Sequence, residues 1–141
     1  MRLVAPALWK TALAVLALDQ ASKLLVVHGL NLASVGHIDV WPPFLTFRMA
    51  WNEGVNFGLL SGGAGLARWL LIAVAVAISG LVLNWVRRDP GNLRAQVSAG
   101  LLVGGALGNV IDRLAYGAVA DFLNMSCCGI DNPYAFNVAD I

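Results

Sequence analysis

Hydrophobic residues gather into three long blocks along this chain, and polar residues are largely confined to the gaps between them. The first block runs from about Leu8 to His28, the second from about Leu66 to Val86, the third from about Ala95 to Ala115. Each approaches the ~20 apolar residues that a helix needs to cross a bilayer. The second is the most uniform, with Leu70-Leu71-Ile72-Ala73-Val74-Ala75-Val76-Ala77-Ile78 at its centre. The third is rich in glycine, and Gly104 and Gly108 have the spacing that lets two helices meet backbone to backbone. Between the first two blocks the period changes. Leu45, Phe47, Met49 and Trp51 alternate with Thr46, Arg48 and Ala50, which predicts a strand over about 44–51 with one apolar face. Such a face at a membrane surface can rest on lipid or hold an extended peptide. A capping loop is the simpler alternative.

Composition agrees with the blocks. Charged residues make up 12% of the 141 and hydrophobic residues 59%, against about 25% charged in an ordinary soluble domain. Mean hydropathy is +0.74. The expectation is one membrane-embedded domain over residues 1–141, mainly α, a polytopic helical bundle with a small sheet outside the bilayer. With a net charge of +1 and no large basic patch, nothing points to nucleic acid, and no such partner is expected. Cys127 and Cys128 are adjacent, a spacing that suits neither a mutual disulfide nor a zinc site, so they read as packing residues in a loop.

The first block has some features of a signal peptide, with Arg2 and Lys10 ahead of the apolar run Thr11 to Leu18. Asp19, Gln20, Ser22 and Lys23 interrupt it, and no small-x-small cleavage pattern follows, so it reads as a retained span. Arg87, Arg88 and Arg94 fall at the short link between the second and third blocks and mark that link as cytoplasmic. The N-terminus is then inside, while 29–65 and the segment after the third block lie outside.

A carboxylate near lipid is costly and needs a reason. Asp19 and Lys23 stand four apart, the favourable order for an ion pair on one helix face. Asn109, Asp112 and Arg113 close the third block, with Asp112 and Arg113 expected to neutralise each other. Asn52 and Gly54 follow the strand and read, by themselves, as turn residues. Asp121 and Asp140 sit in apolar settings on the outer side. Asn137 three residues before Asp140 has the form of a cap and first-turn acid. Two carboxylates at one membrane face can share a proton, activate water and protonate a leaving amine.

Taken in order, five blocks resemble the lipoprotein signal peptidase family, also called signal peptidase II. They are Asp19-Gln20-Ala21-Ser22-Lys23; Asn52-x-Gly54-x-x-Phe57-Gly58; Gly104-Gly105-x-x-Gly108-Asn109-x-x-Asp112-Arg113; Val119-x-Asp121-Phe122; and Phe136-Asn137-x-Ala139-Asp140. Any one is weak, but the ordered set covers nearly the whole chain. The resemblance implies a bacterial inner-membrane aspartyl endopeptidase that cuts prolipoproteins just before a diacylglyceryl-modified cysteine, with no metal or organic cofactor. It implies Asp121 and Asp140 as the catalytic pair. Asn52, Gly54, Gly105, Asn109, Arg113 and Asn137 would line or support the substrate site, with Asp19, Lys23 and Asp112 in a supporting polar shell. The strand would belong to a small periplasmic β-cradle. Partners would be lipid-modified prolipoproteins, membrane lipids and the cyclic-peptide inhibitors of the family.

The family has four transmembrane helices, and this chain stops at Ile141, where the fourth should begin. The expectation is therefore a C-terminally shortened domain in which Asp140 has few contacts to fix it, and a chain of poor activity. The alternatives are a relative that only binds lipidated signal peptides and a small channel or transporter-type protein.

Overall fold

The computed structural model describes residues 6–54 and 64–141. Arg2, Phe57 and Gly58, which carry part of the reading above, lie outside the described residues. Helix α1 spans Pro6–Lys23 and continues through a π-helical turn, Leu24–Gly29. A short helix α2, Leu32–Val35, leads to strands β1, His37–Trp41, and β2, Leu45–Asn52. Helices α3, Ala64–Val86, and α4, Leu93–Tyr116, follow. Strand β3, Val119–Asn124, and a 3-10 turn, Val138–Asp140, complete the chain. The three long apolar blocks are thus three helices long and apolar enough to cross a membrane, at Pro6–Gly29, Gly65–Val86 and Leu93–Tyr116.

Local chemistry sets the helix ends. Asn92 caps α4 by accepting from the Ala95 amide at 3.1 Å. Gly117, at φ +82°, ends it in the left-handed conformation that glycine adopts without penalty. Helices α1 and α4 pack through a glycine stripe longer than the sequence pair suggested. A side chain at Gly100 would strike Leu8 and Thr11, one at Gly104 would strike Ala12, and one at Gly108 would strike Asp19. Spaced four apart, these glycines form one face and bring the two backbones together. Helix α3 turns Leu66, Trp69, Leu70, Val76, Leu81 and Trp85 outward, as expected of a helix bathed in lipid.

The sheet has the order β1-β2-β3 and is antiparallel throughout. Its apolar face is buried. Phe47 and Met49 pack with Phe122 and Leu123 on Val26, Val27 and Leu32 of the π-turn and α2. The apolar face of β2 therefore joins the core at Phe47 and Met49, while Trp51 at its end stays exposed. It is the other face that opens into cavities.

A bulge in β3 decides which side chains reach that open face. Phe122 N and Leu123 N both donate to the Phe136 carbonyl, at 3.0 and 2.8 Å. The β2–β3 register shifts at the same place, between Phe47 and Ala50. Phe122 and Leu123 consequently both face the core, and Asp121 and Asn124 both face outward over the cavities. Both are buried, yet each lines a cavity.

Candidate active site

Asp121 sits at the centre of β3, with its side chain held from two sides. Asn52 Nδ2 donates to Asp121 Oδ2 at 3.0 Å, and Asn137 Nδ2 donates to Oδ1 at 2.6 Å. Asn52 is itself fixed, because its Oδ1 accepts from the Gly54 amide at 2.8 Å. That turn needs Gly54, whose φ is +91°. A side chain there would also strike Leu71 and approach the Arg113 guanidinium. The Asn52-x-Gly54 spacing is thus a device that aims one amide at one carboxylate.

Asp140 is better held than the sequence suggested. Asn137 and Asp140 form a capping box: Asn137 Oδ1 accepts from Ala139 N at 2.8 Å, and Asn137 N donates to Asp140 Oδ2 at 3.1 Å. Asn109 Nδ2 donates to the other oxygen, Oδ1, at 3.3 Å. Gly105 lies directly under the turn, in contact with the Ala139 carbonyl, where a side chain has no room. The expectation that Asp140 has few contacts is therefore corrected. A short turn closed on itself and seated on α4 supplies these contacts.

Asn137 is fully buried and joins the two acids. Its side chain bonds Asp121, its backbone N–H bonds Asp140, and its Nδ2 also reaches Asn109 Oδ1 at 3.3 Å. Burial holds the Asp121 carboxyl above its ordinary value; its two amide donors and Lys23 oppose the rise, and Asp140 adds to it. Arg113 Nη1 donates to the Asn109 carbonyl at 3.5 Å, while its Nε has no partner among the described residues.

Behind the pair lies a buried ionic brace. Lys23 Nζ bridges Asp19 Oδ2 at 2.8 Å and Asp112 Oδ2 at 2.7 Å. Asp112 therefore pairs with Lys23 across the bundle, and the expected local pairing of Asp112 with Arg113 is not made. The reason is positional: Asp112 is 1% exposed and faces α1. Each acid also grips the backbone beside one member of the pair. Asp112 Oδ2 accepts from Ala120 N at 3.1 Å, next to Asp121, and Asp19 Oδ1 accepts from Ala139 N at 3.1 Å, next to Asp140. Gln20, which the sequence reading quoted without assigning it a role, bonds both acids, at 3.0 and 3.2 Å. Its signal was its place among polar residues within an otherwise apolar helix.

The structure brings the predicted site residues to one end of the bundle. A cavity of about 420 Å³ lies over Asp121, lined also by Ala50, Asn52, Gly54, Pro133 and Tyr134. Pro133 and Tyr134 carried no signal, because they come from a loop folded back over the sheet. No group of three or more metal-binding side chains occurs among the described residues. Asp121 opens to this cavity and is linked to the exposed Asp140 through Asn137, and two carboxyls of unequal setting linked in this way are suited to acid–base chemistry.

Comparison with known proteins gives a consistent result. The family model described as Signal peptidase (SPase) II matches residues 11–141. The lipoprotein signal peptidase of Methylorubrum extorquens is 50% identical over 131 residues, 91% of this chain and 73% of that protein. The lipoprotein signal peptidase of Rhodopseudomonas palustris is 45% identical over 130 residues, 89% of this chain and 77% of that protein. A solved structure described as a bacterial membrane enzyme, at 1.9 Å resolution, superposes with a TM-score of 0.78 at 32% identity, over 93% of this chain and 81% of that one.

Proposed function

The chain belongs to the signal peptidase II family, its activity is cleavage of lipoprotein signal peptides, and we propose that Asp121 and Asp140 carry out that cleavage. The observation that supports this assignment is the pair of hydrogen bonds donated by Asn137, from its side chain to Asp121 and from its backbone to Asp140. It ties two carboxyls from distant parts of the chain into one unit.

Asp121, biased toward its acid form, hydrogen-bonds the scissile carbonyl. Asp140, exposed and oriented by Asn109 and Asn137, is the base. Asp140 takes a proton from water as the water oxygen attacks the carbonyl carbon, and Asp121 gives its proton to the carbonyl oxygen. When the C–N bond breaks, the leaving amine takes a proton from Asp140, and the carbonyl oxygen returns its proton to Asp121, which restores the starting state. Asn52, Gly54, Gly105, Asn109, Arg113 and Asn137 position the pair and the peptide. Asp19, Lys23 and Asp112 hold the backbone on which the pair stands.

The protein is a multi-pass membrane protein, and its substrate is a lipoprotein precursor; we infer that the cut falls before a diacylglyceryl cysteine. The two ends of α4 support an orientation. Its N-terminal end adjoins Arg87, Arg88 and Arg94, and its C-terminal end carries Arg113 and the site, with 24 residues between the two ends. At about 1.5 Å per residue this spans a bilayer core. We infer that the site faces the periplasm from the inner membrane, a reading that the basic residues at the other end of α4 support. The test is cleavage of a lipid-modified prolipoprotein by the wild type, Asp121→Asn and Asp140→Asn in bilayers. Loss in both variants with the fold retained supports the pair; turnover by either at the wild-type rate rejects it.

A further inference from the structure

The catalytic cavity does not end at Asp121. A second cavity, of about 350 Å³, opens on the same face of the sheet toward the Asn124 end, and Pro133 lines both. The floor of this neighbouring trough is the outward face of β2 and β3. Thr46 and Asn124 pair across it, with Thr46 Oγ1 donating to Asn124 Oδ1 at 3.2 Å. Its wall is the loop 131–135, which Asn124 holds upright by donating to the Asn132 and Tyr134 carbonyls at 2.7 and 2.9 Å. Every polar atom of the Asn124 amide is used to build the trough.

The second cavity differs from the first in character. Arg48 stands on its floor and Asp131 in its wall, both exposed. Neither enters a salt bridge among the described residues, whereas His37 beside them is engaged by Asp39 at 2.7 Å. Nothing in the chemistry at Asp121 and Asp140 uses this cation. The cavity also lies in a particular direction. β3 leaves the end of α4 at Val119 and runs from there past Asp121 to Asn124. From Asp121 to Asn124 is about 10 Å of strand at ~3.3 Å per residue, or roughly three residues of an extended substrate.

We propose that this cavity is a subsite for the polypeptide on the downstream side of the scissile bond, and that Arg48 there selects an acidic side chain two to four residues past the cut. The inference rests on the peptidase reading above. A signal segment is apolar and stays with the bilayer. The downstream chain is the part that continues into water, and a polar trough suits it. Arg48 faces the peptide as an exposed cation, so its effect is that of an exposed ion pair and falls with salt.

The experiment uses lipid-modified prolipoproteins that carry Asp, Asn or Lys at positions two, three and four after the cut, with the full chain in bilayers. The expected result is a kcat/KM for Asp over Lys of about threefold to fivefold at one of these positions, the scale of an exposed ion pair. Arg48→Glu should reverse the order, and its cleavage of the Lys substrate shows that the variant is folded. Arg48→Gln should bring the three substrates to one rate and serves if the reversal variant fails to fold. Equal rates for all substrates with the wild type, or an unchanged order in the Arg48 variants, would overturn the subsite and leave the peptidase reading intact. No cleavage of any substrate by the wild type would overturn the peptidase reading, and the subsite with it.

Discussion

Asn137 Nδ2 lies 2.6 Å from Asp121 Oδ1, and the same residue's backbone N–H lies 3.1 Å from Asp140 Oδ2. One buried asparagine therefore sets the relation between the two acids. Asn137→Ala removes the side-chain bond to Asp121 and the cap on the Ala139 amide together. Turnover should fall about 100-fold or more, the usual cost of misplacing catalytic groups by an ångström. Cleavage of a lipidated precursor checks this, and activity within a fewfold of wild type would refute the linking role.

Gly105 and Gly104 are adjacent on α4 but point at different things. A methyl at Gly105 meets the Ala139 carbonyl beneath Asp140, while one at Gly104 meets Ala12 in the α1–α4 contact. Gly105→Ala should cost turnover with little change in thermal stability, since alanine favours the helix by up to about 1 kcal/mol. Gly104→Ala should instead lower the melting temperature. Parallel assays of melting and turnover separate the two; an identical pattern in both variants would show that Gly105 is only a packing residue.

Lys23 is 6% exposed and bridges Asp19 and Asp112. Lys23→Met leaves two buried acids without their cation. Breaking a buried pair in this way costs about 3–5 kcal/mol, so unfolding in detergent should shift by that amount. Asp19→Ala should destabilise as well, because it strands Lys23 against Asp112 alone and frees the Ala139 amide. Wild-type stability in both variants would mean that the brace contributes nothing.

Burial raises the Asp121 carboxyl above its ordinary value, which is about 3.9 in an unfolded chain. The folded state then holds the proton more tightly than the unfolded state. The stability this group contributes is fully present below the ordinary value and is lost as pH rises through the raised one. Asp121→Asn should flatten that part of the stability curve, which denaturation at a series of pH values would reveal. The same proton is needed for catalysis, so activity should fall on the alkaline side as Asp121 ionises. A stability curve of unchanged slope in the variant would rule out Asp121 as its source.

The spans, the strand and the cap were legible in the sequence because each rests on neighbours along the chain. A hydrophobic block about 20 residues long has one stable solution in a bilayer. Alternation over Leu45 to Trp51 marks a pleated face, and Asn137 with Asp140 marks a capped turn whatever surrounds it. The ordered polar blocks likewise named Asp121, Asp140 and most of their supports. Other features depended on residues far apart in sequence. Asp112 joined Lys23 instead of its neighbour Arg113 because α1 packs against α4 along a glycine face. Phe47 and Met49 of β2 turned inward because the π-turn and α2 offered them a core, and the side of the sheet that carries Asp121 was left to line a cavity. The bulge at Phe122 and Leu123, made by the single carbonyl of Phe136, put Asp121 and Asn124 on that same open side. Periodicity along a chain reports which residues share a face. Which partner the face meets is set by long-range packing, and only the tertiary structure supplies that.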